Sequence, residues 1–170
     1  MSDVFKEYLI KQKKSPIDIL AQIGLILGAI ILIGLAFVFG GDFLGPIIIL
    51  GVIFGPGVLF SRFSREYEYT LTNNELDIDV IYNRSRRKRV ITIDMKKIEI
   101  MANAKDERHQ AELQKSYKVI NASDNSNDEN TYIIMAHSPS KGACKIIFSP
   151  NETMVNDLFR QAPNKVFKKI

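Results

Sequence analysis

Five cations stand together at Arg84, Arg86, Arg87, Lys88 and Arg89, with Lys96 and Lys97 close behind. Guanidinium and ammonium groups at that density can hold anions, and beside a bilayer each is worth about 1 kcal/mol toward anionic headgroups. The same residues suit a second role, a charged strand edge that resists aggregation and neutralises Asp77 and Asp79 across a hairpin. A site for one specific ligand is a third. The sequence leaves the three open. Asp77 and Asp79 share one strand face. Paired carboxylates can do acid–base work, but nothing in the sequence supplies a pocket for them, so they are expected to be solvated.

Other candidate chemistry is weaker. Asp124, Ser126 and Asp128 mimic the start of a calcium loop, yet Glu129 stands where that loop needs glycine and Met135 where it needs glutamate. His109, His137 and Cys144 lack the spacing of metal ligands. No metal and no cofactor are expected. Cys144 is the single cysteine. It cannot form an internal disulfide, which agrees with a reducing compartment, and it is expected in the core as a small apolar residue. A nucleophile would need a base that the sequence does not identify. Asn83-Arg84-Ser85, Asn121-Ala122-Ser123 and Asn151-Glu152-Thr153 match the glycosylation pattern, but a cytoplasmic domain would not be modified there. Net charge is +4. Nothing resembles a nucleic-acid module, and neither a nucleic-acid partner nor an enzymatic activity is expected.

The element that must position all of this is residues 17–60, where two long apolar blocks flank Gly40, Gly41 and Asp42. Ile19–Phe39 and Phe43–Phe60 carry no charge. At 1.5 Å per residue the first spans about 32 Å and the second sits near the lower limit for crossing a bilayer. A transmembrane helical hairpin is therefore expected. Ser15-Pro16 with Asp18 reads as the start of its first helix, and Pro56 is expected to kink or end the second a turn early. Gly24 and Gly28, and likewise Gly51 and Gly55, have the four-residue spacing that lets membrane helices approach closely. They are expected to pack against each other within the hairpin. Lys6, Lys11, Lys13 and Lys14 precede the hairpin, Arg62 and Arg65 follow it, and the turn holds only Asp42. By the positive-inside rule a multi-pass protein with both termini cytoplasmic is expected. Residues 1–16 form a basic cytoplasmic segment, read either as a short interfacial helix with Phe5 and Leu9 on one face or as a frayed end.

Beyond residue 61 the period changes to two. Strands are expected over residues 66–72, 76–82, roughly 88–94, 98–102, 117–121, 131–137 and 143–148, the first four as an antiparallel meander. Residues 123–130 lack any apolar side chain and are expected to be a mobile loop. Ser149-Pro150-Asn151-Glu152 reads as a capping box opening a last helix. Met154, Val155, Leu158, Phe159 and Ala162 make one face of it, and Pro163 ends it.

Seven strands followed by one amphipathic helix resemble a pleckstrin-homology-like barrel. The stretch from Tyr67 to Ile100 is similar to the first four strands of bacterial membrane-anchored PH-like domains, with Tyr69, Leu71, Thr72, Asn73, Leu76, Ile78, Arg84, Ile93 and Ile98 in the matching places. The whole chain also resembles a family of two-span Firmicutes proteins with no assigned activity. That resemblance implies an α+β membrane protein in which the two-helix hairpin precedes a seven-stranded antiparallel barrel, residues 61–170, capped by the C-terminal helix. The expected role is a cell-membrane anchor presenting a cytoplasmic domain to a protein partner or to membrane lipids through Arg84, Arg86, Arg87, Lys88 and Arg89. The alternative is an accessory subunit that contacts a larger membrane complex through the hairpin.

Overall fold

A computed structural model describes residues 5–60, 64–126, 129–139 and 141–169. It forms two compact units. Residues 14–65 make one, and the remaining described residues make the other.

The first unit is helical. α1 (Pro16–Phe39) begins as the sequence predicts: the Ser15 side chain accepts from the Ile17 N–H, and the Asp18 carboxylate accepts from the Ser15 N–H at 3.0 Å, satisfying orphan donors at both places. α2 (Gly41–Phe60) follows after the single residue Gly40. It runs through Pro56 rather than ending a turn early. The missing N–H removes one helical bond, and membrane-type helices tolerate that loss. α1 is long and apolar enough to cross a membrane; the described apolar stretch of α2, Gly41–Gly55, is shorter.

The second unit holds eight strands in two four-stranded sheets rather than a closed seven-stranded barrel. The additional strand is β1 (Phe5–Lys11). From Phe5 to Lys11 the N-terminal segment is thus a strand, neither an interfacial helix nor a frayed end. β1 pairs antiparallel with β2 (Arg65–Thr72), with Lys11 opposite Glu66 and Tyr8 opposite Tyr69. β3 (Glu75–Tyr82) and β4 (Arg86–Asp94) complete a sheet of order β1-β2-β3-β4. The expected fourth strand of the meander leaves this sheet. β5 (Ile100–Asn103) pairs with β7 (Tyr132–Ser138), and the second sheet runs β5-β7-β8-β6, with β8 spanning Gly142–Phe148 and β6 Lys118–Asn121. β6 is parallel to β8. Between β5 and β6 the chain passes through a 3-10 turn (Glu107–His109) and one helical turn, α3 (Gln110–Leu113), which is the length a parallel connection needs.

The core is built by alternation. Tyr67, Tyr69 and Leu71 of β2 meet Leu76, Ile78 and Val80 of β3, Ile91 and Ile93 of β4, and Ile134, Ile146 and Phe148 of the second sheet. α4 (Glu152–Gln161) covers this core with Met154, Val155 and Leu158. Its cap is Asn151, whose side chain accepts from the Met154 N–H at 2.8 Å, not Ser149. The Ser149 hydroxyl bonds Asp124 and its N–H donates to the Tyr69 hydroxyl, so it is unavailable to the helix.

The polar stretch after β6 is fastened over its described part, contrary to the mobile loop expected. The Asp124 carboxylate accepts from the Ser126 N–H, the Ser126 hydroxyl and the Ser149 hydroxyl. Gln12 donates to the Ser123 carbonyl, the Lys13 N–H to the Asp124 carbonyl, and Asn125 to the Lys13 carbonyl. These bonds tie the end of β1 to the second sheet.

Candidate functional site

The outward face of the first sheet is a ladder of charge. Glu7, Leu9 and Lys11 of β1 lie opposite Thr70, Glu68 and Glu66 of β2, and Asp77 and Asp79 continue the row on β3. The arginines reach this face because of one bulge. Ile78 pairs with Ile91, but Asp79 pairs with Arg89, leaving Val90 extra on β4. An extra residue reverses which side chains point to which face. Ile91 and Ile93 therefore enter the core while Arg87 and Arg89, of the same parity, point outward.

The outward arginines are all engaged. Arg84 pairs with Glu66 at 3.3 Å. Arg87 donates to Glu68 at 2.7 Å. Arg89 bridges Asp77, at 2.6 Å, and Asp79, and also donates to Thr92. Thr92 in turn donates to Asp77. Asp77 and Asp79 are thus ion-paired, and Asp79 is buried rather than solvated. Burial pulls the Arg89 guanidinium down, but the hydrogen bond it donates to Asp79 and the charge of Asp77 outweigh that and hold it above its usual value. Arg86 and Lys88 sit opposite Tyr82 and Val80, on the other face. Both are exposed, and neither makes an ion pair among the described residues. The five-residue cluster is therefore split: three cations neutralise carboxylates and two remain available.

Glu68 is the least comfortable group here. It is 2% exposed. Burial, then a hydrogen bond with Glu7 across the strand pair, push its carboxyl up to about 6, with Arg87 opposing. No sequence signal marks Glu68 as different from Glu66. Its burial comes from the arginine laid over it.

A model of a bacterial PH-like domain family (DUF6106) matches residues 2–168. The chain belongs to that family. No curated protein and no solved structure matches it. The split of β-strands into two packed sheets under a C-terminal helix is the PH-like part, and β1 shows that this domain begins before the helix pair. The segment taken as the domain from sequence, residues 61–170, lacks its first strand, and Arg62 lies outside the described residues.

Two cavities flank the PH-like domain's own surface. One of about 840 Å³ runs along Tyr8, Leu9, Ile10 and Lys11 of β1 and the start of α4. A smaller one, about 320 Å³, lies by Asp106 and Arg108. There the Asp106 carboxyl is held well below its usual range by hydrogen bonds from Arg108 and His109, and the His109 ring stacks on Phe167. His137 lies 3.3 Å from Glu99. Cys144 is fully buried, as its apolar character predicts. Asp128 lies outside the described residues. Asp124, the other acidic residue of the calcium-like run, serves as a hub of backbone and hydroxyl bonds.

In the helical unit, Gly24, Gly28, Gly51 and Gly55 line one shared groove of about 800 Å³. They do not pack closely: a Cβ at any of the four would meet nothing within 4 Å. The tight point is at the turn, where a Cβ on Gly40 would lie 2.3 Å from the Ala36 oxygen and 2.6 Å from the Gly45 Cα. Ala36 is the buried residue of α1. Near the turn the helices are held together by covalent connection and small residues, and the glycines farther along face open space.

Proposed function

We propose that the protein is a non-enzymatic two-span membrane anchor whose cytoplasmic PH-like domain offers a binding surface to a protein partner or to anionic lipid. The observation that carries this reading is the pairing of β1 with β2. The strand before the helices and the strand after them are neighbours in one sheet, Lys11 opposite Glu66. If α1 crosses a bilayer, α2 must bring the chain back to the same side. Its 20 residues give about 30 Å, enough for the hydrocarbon core. Lysines before α1 and Arg65 after α2 favour the cytoplasmic side.

For lipid contact the free cations are Arg86 and Lys88, so the expected attraction is about 2 kcal/mol rather than the five-cation value the sequence suggests. That makes the surface an adjunct to the anchor and leaves a protein partner as the main role. The accessory-subunit reading is favoured by the open glycine groove, which would accept another helix in the bilayer.

Site-directed labelling tests the anchor. In intact cells an impermeant thiol reagent should label an Asp42→Cys variant and leave a Lys88→Cys variant unlabelled until the membrane is permeabilised. The buried Cys144 keeps the background low. Equal labelling of both positions in intact cells would overturn the topology.

A further inference from the structure

Among the described residues four strands form sheet edges in this domain, and one of these edges, β5, is closed. β5 is covered by the C-terminal segment: the Met101 N–H donates to the Lys165 carbonyl and the Phe167 N–H to the Met101 carbonyl, both at 2.7 Å. β4 carries four consecutive cations, Arg86 to Arg89, a pattern that repels strand addition. β6 is only four residues long. β1 has seven and pairs on one side alone. Four consecutive β1 residues, Tyr8 to Lys11, line the 840 Å³ cavity. Side chains alternate between faces, so a cavity touching four in a row runs along the strand's free edge rather than over one face.

We propose that this edge pairs with β1 of a second copy of the chain, antiparallel and centred on Leu9. That register sets Glu7 against Lys11 at both ends and Leu9 against Leu9 between them. Leu9 is 52% exposed, and Lys11 is exposed with no ion pair among the described residues. Opposite charges directly across an antiparallel pair stabilise it, and like charges oppose it. The neighbouring register, centred on Tyr8, places Glu7 against Leu9 and forms no charge pair. Glu7 is a good target for a foreign cation, because on its own chain it faces the carboxyl of Glu68. β6 also shows an exposed apolar residue, Val119, but its sequence offers no matching charge pair.

The pairing joins two four-stranded sheets into one of eight strands related by a two-fold axis, an isologous interface. Anchorage of both copies in one membrane, on the reading above, raises their effective concentration. The pairing itself does not depend on it.

The test uses the full chain in detergent micelles and in liposomes. Leu9→Cys should give a disulfide-linked dimer on mild oxidation, because directly opposed residues lie within disulfide reach. Glu7→Cys should not, because its two copies sit four residues apart on each strand. Light scattering should find a dimer for the native chain, dissociation about tenfold easier for Glu7→Lys, and recovery in Glu7→Lys with Lys11→Glu. A monomer with no linkage through Leu9→Cys overturns the proposal. So does a dimer indifferent to the charge at residue 7, which would place the interface elsewhere, as in the glycine groove. Neither result bears on membrane topology, which the labelling experiment reads separately.

Discussion

Because β1 and β2 are neighbours, the helix pair is an insertion in a β-hairpin, and the sheet-bearing domain can be rebuilt without it. Residues 5–13 joined by about six glycine-rich residues to residues 64–170 should fold in water, since the strand ends to be connected are already register partners and such a linker spans about 13 Å. Within that protein, Ile10 measures what β1 contributes. Its side chain is 8% exposed, in the main core cluster, opposite Tyr67. Ile10→Ala should cost about 3 kcal/mol, a fall in melting temperature of roughly 12 °C or more for a domain of this size. Removing β1 altogether also strips the ladder from β2 and the three bonds that Gln12 and Lys13 make with the 123–125 loop. Against a total stability of about 5–15 kcal/mol, a fragment beginning at residue 64 should be partly unfolded and prone to aggregate through its new edge. Circular dichroism melts of the three proteins decide the matter. If the fragment melts within about 2 °C of the rebuilt domain, or Ile10→Ala is neutral, β1 is not part of the fold and the reasoning fails.

Three further outcomes are expected. Glu68 binds its proton more tightly folded than unfolded, so its contribution favours folding below about pH 4.5 and is lost as pH rises through about 6; the melting temperature of the native domain should fall relative to Glu68→Gln between pH 4.5 and 6.5, and a constant difference would contradict the assignment. Arg89→Ala should cost about 2 kcal/mol in urea denaturation, because it leaves the buried Asp79 beside Asp77 without a donor, whereas Lys88→Ala should be silent within about 0.5 kcal/mol. Gly40→Ala should destabilise the hairpin in detergent by about 1–3 kcal/mol through backbone overlap, while Gly51→Ala, which meets nothing within 4 Å, should be tolerated; equal effects would show that the turn is not the tight point.

Some of the candidate site could be read in advance. The reading in which the cationic cluster neutralises Asp77 and Asp79 across a hairpin was available from the sequence, because the two aspartates alternate with Leu76, Ile78 and Val80, and Arg89 carries it out. The bulge at Val90 was not read in advance: Arg87 and Arg89 share parity with Ile91 and Ile93, and only an extra residue between them puts the two pairs on opposite faces. Glu66 and Glu68 as the partners of Arg84 and Arg87 were not visible, since nothing local relates β2 to the far side of the next hairpin. The four glycines were legible as a stripe, but the close approach belongs to Gly40, which read only as a turn residue, and to Gly45, which lay without comment in the second apolar block.

What the sequence by itself determined was everything carried by short-range pattern. The two apolar helices, the Ser15 cap, seven of the strands and the apolar face of α4 follow from periodicity and capping chemistry within a few residues. Tertiary structure alone decided β1. FKEYLIK places Tyr8, Leu9 and Ile10 in a row, so its polarity does not alternate, and a lone strand has no reason to be extended until an edge is offered. That edge is β2, on the far side of both helices. Tertiary structure likewise decided the parallel seat of β6, the two-sheet closure and the theft of Ser149 from the helix cap by Asp124. Each depends on a partner distant in the chain, and strand pairing, unlike a helix, is satisfied only by what the rest of the fold brings alongside.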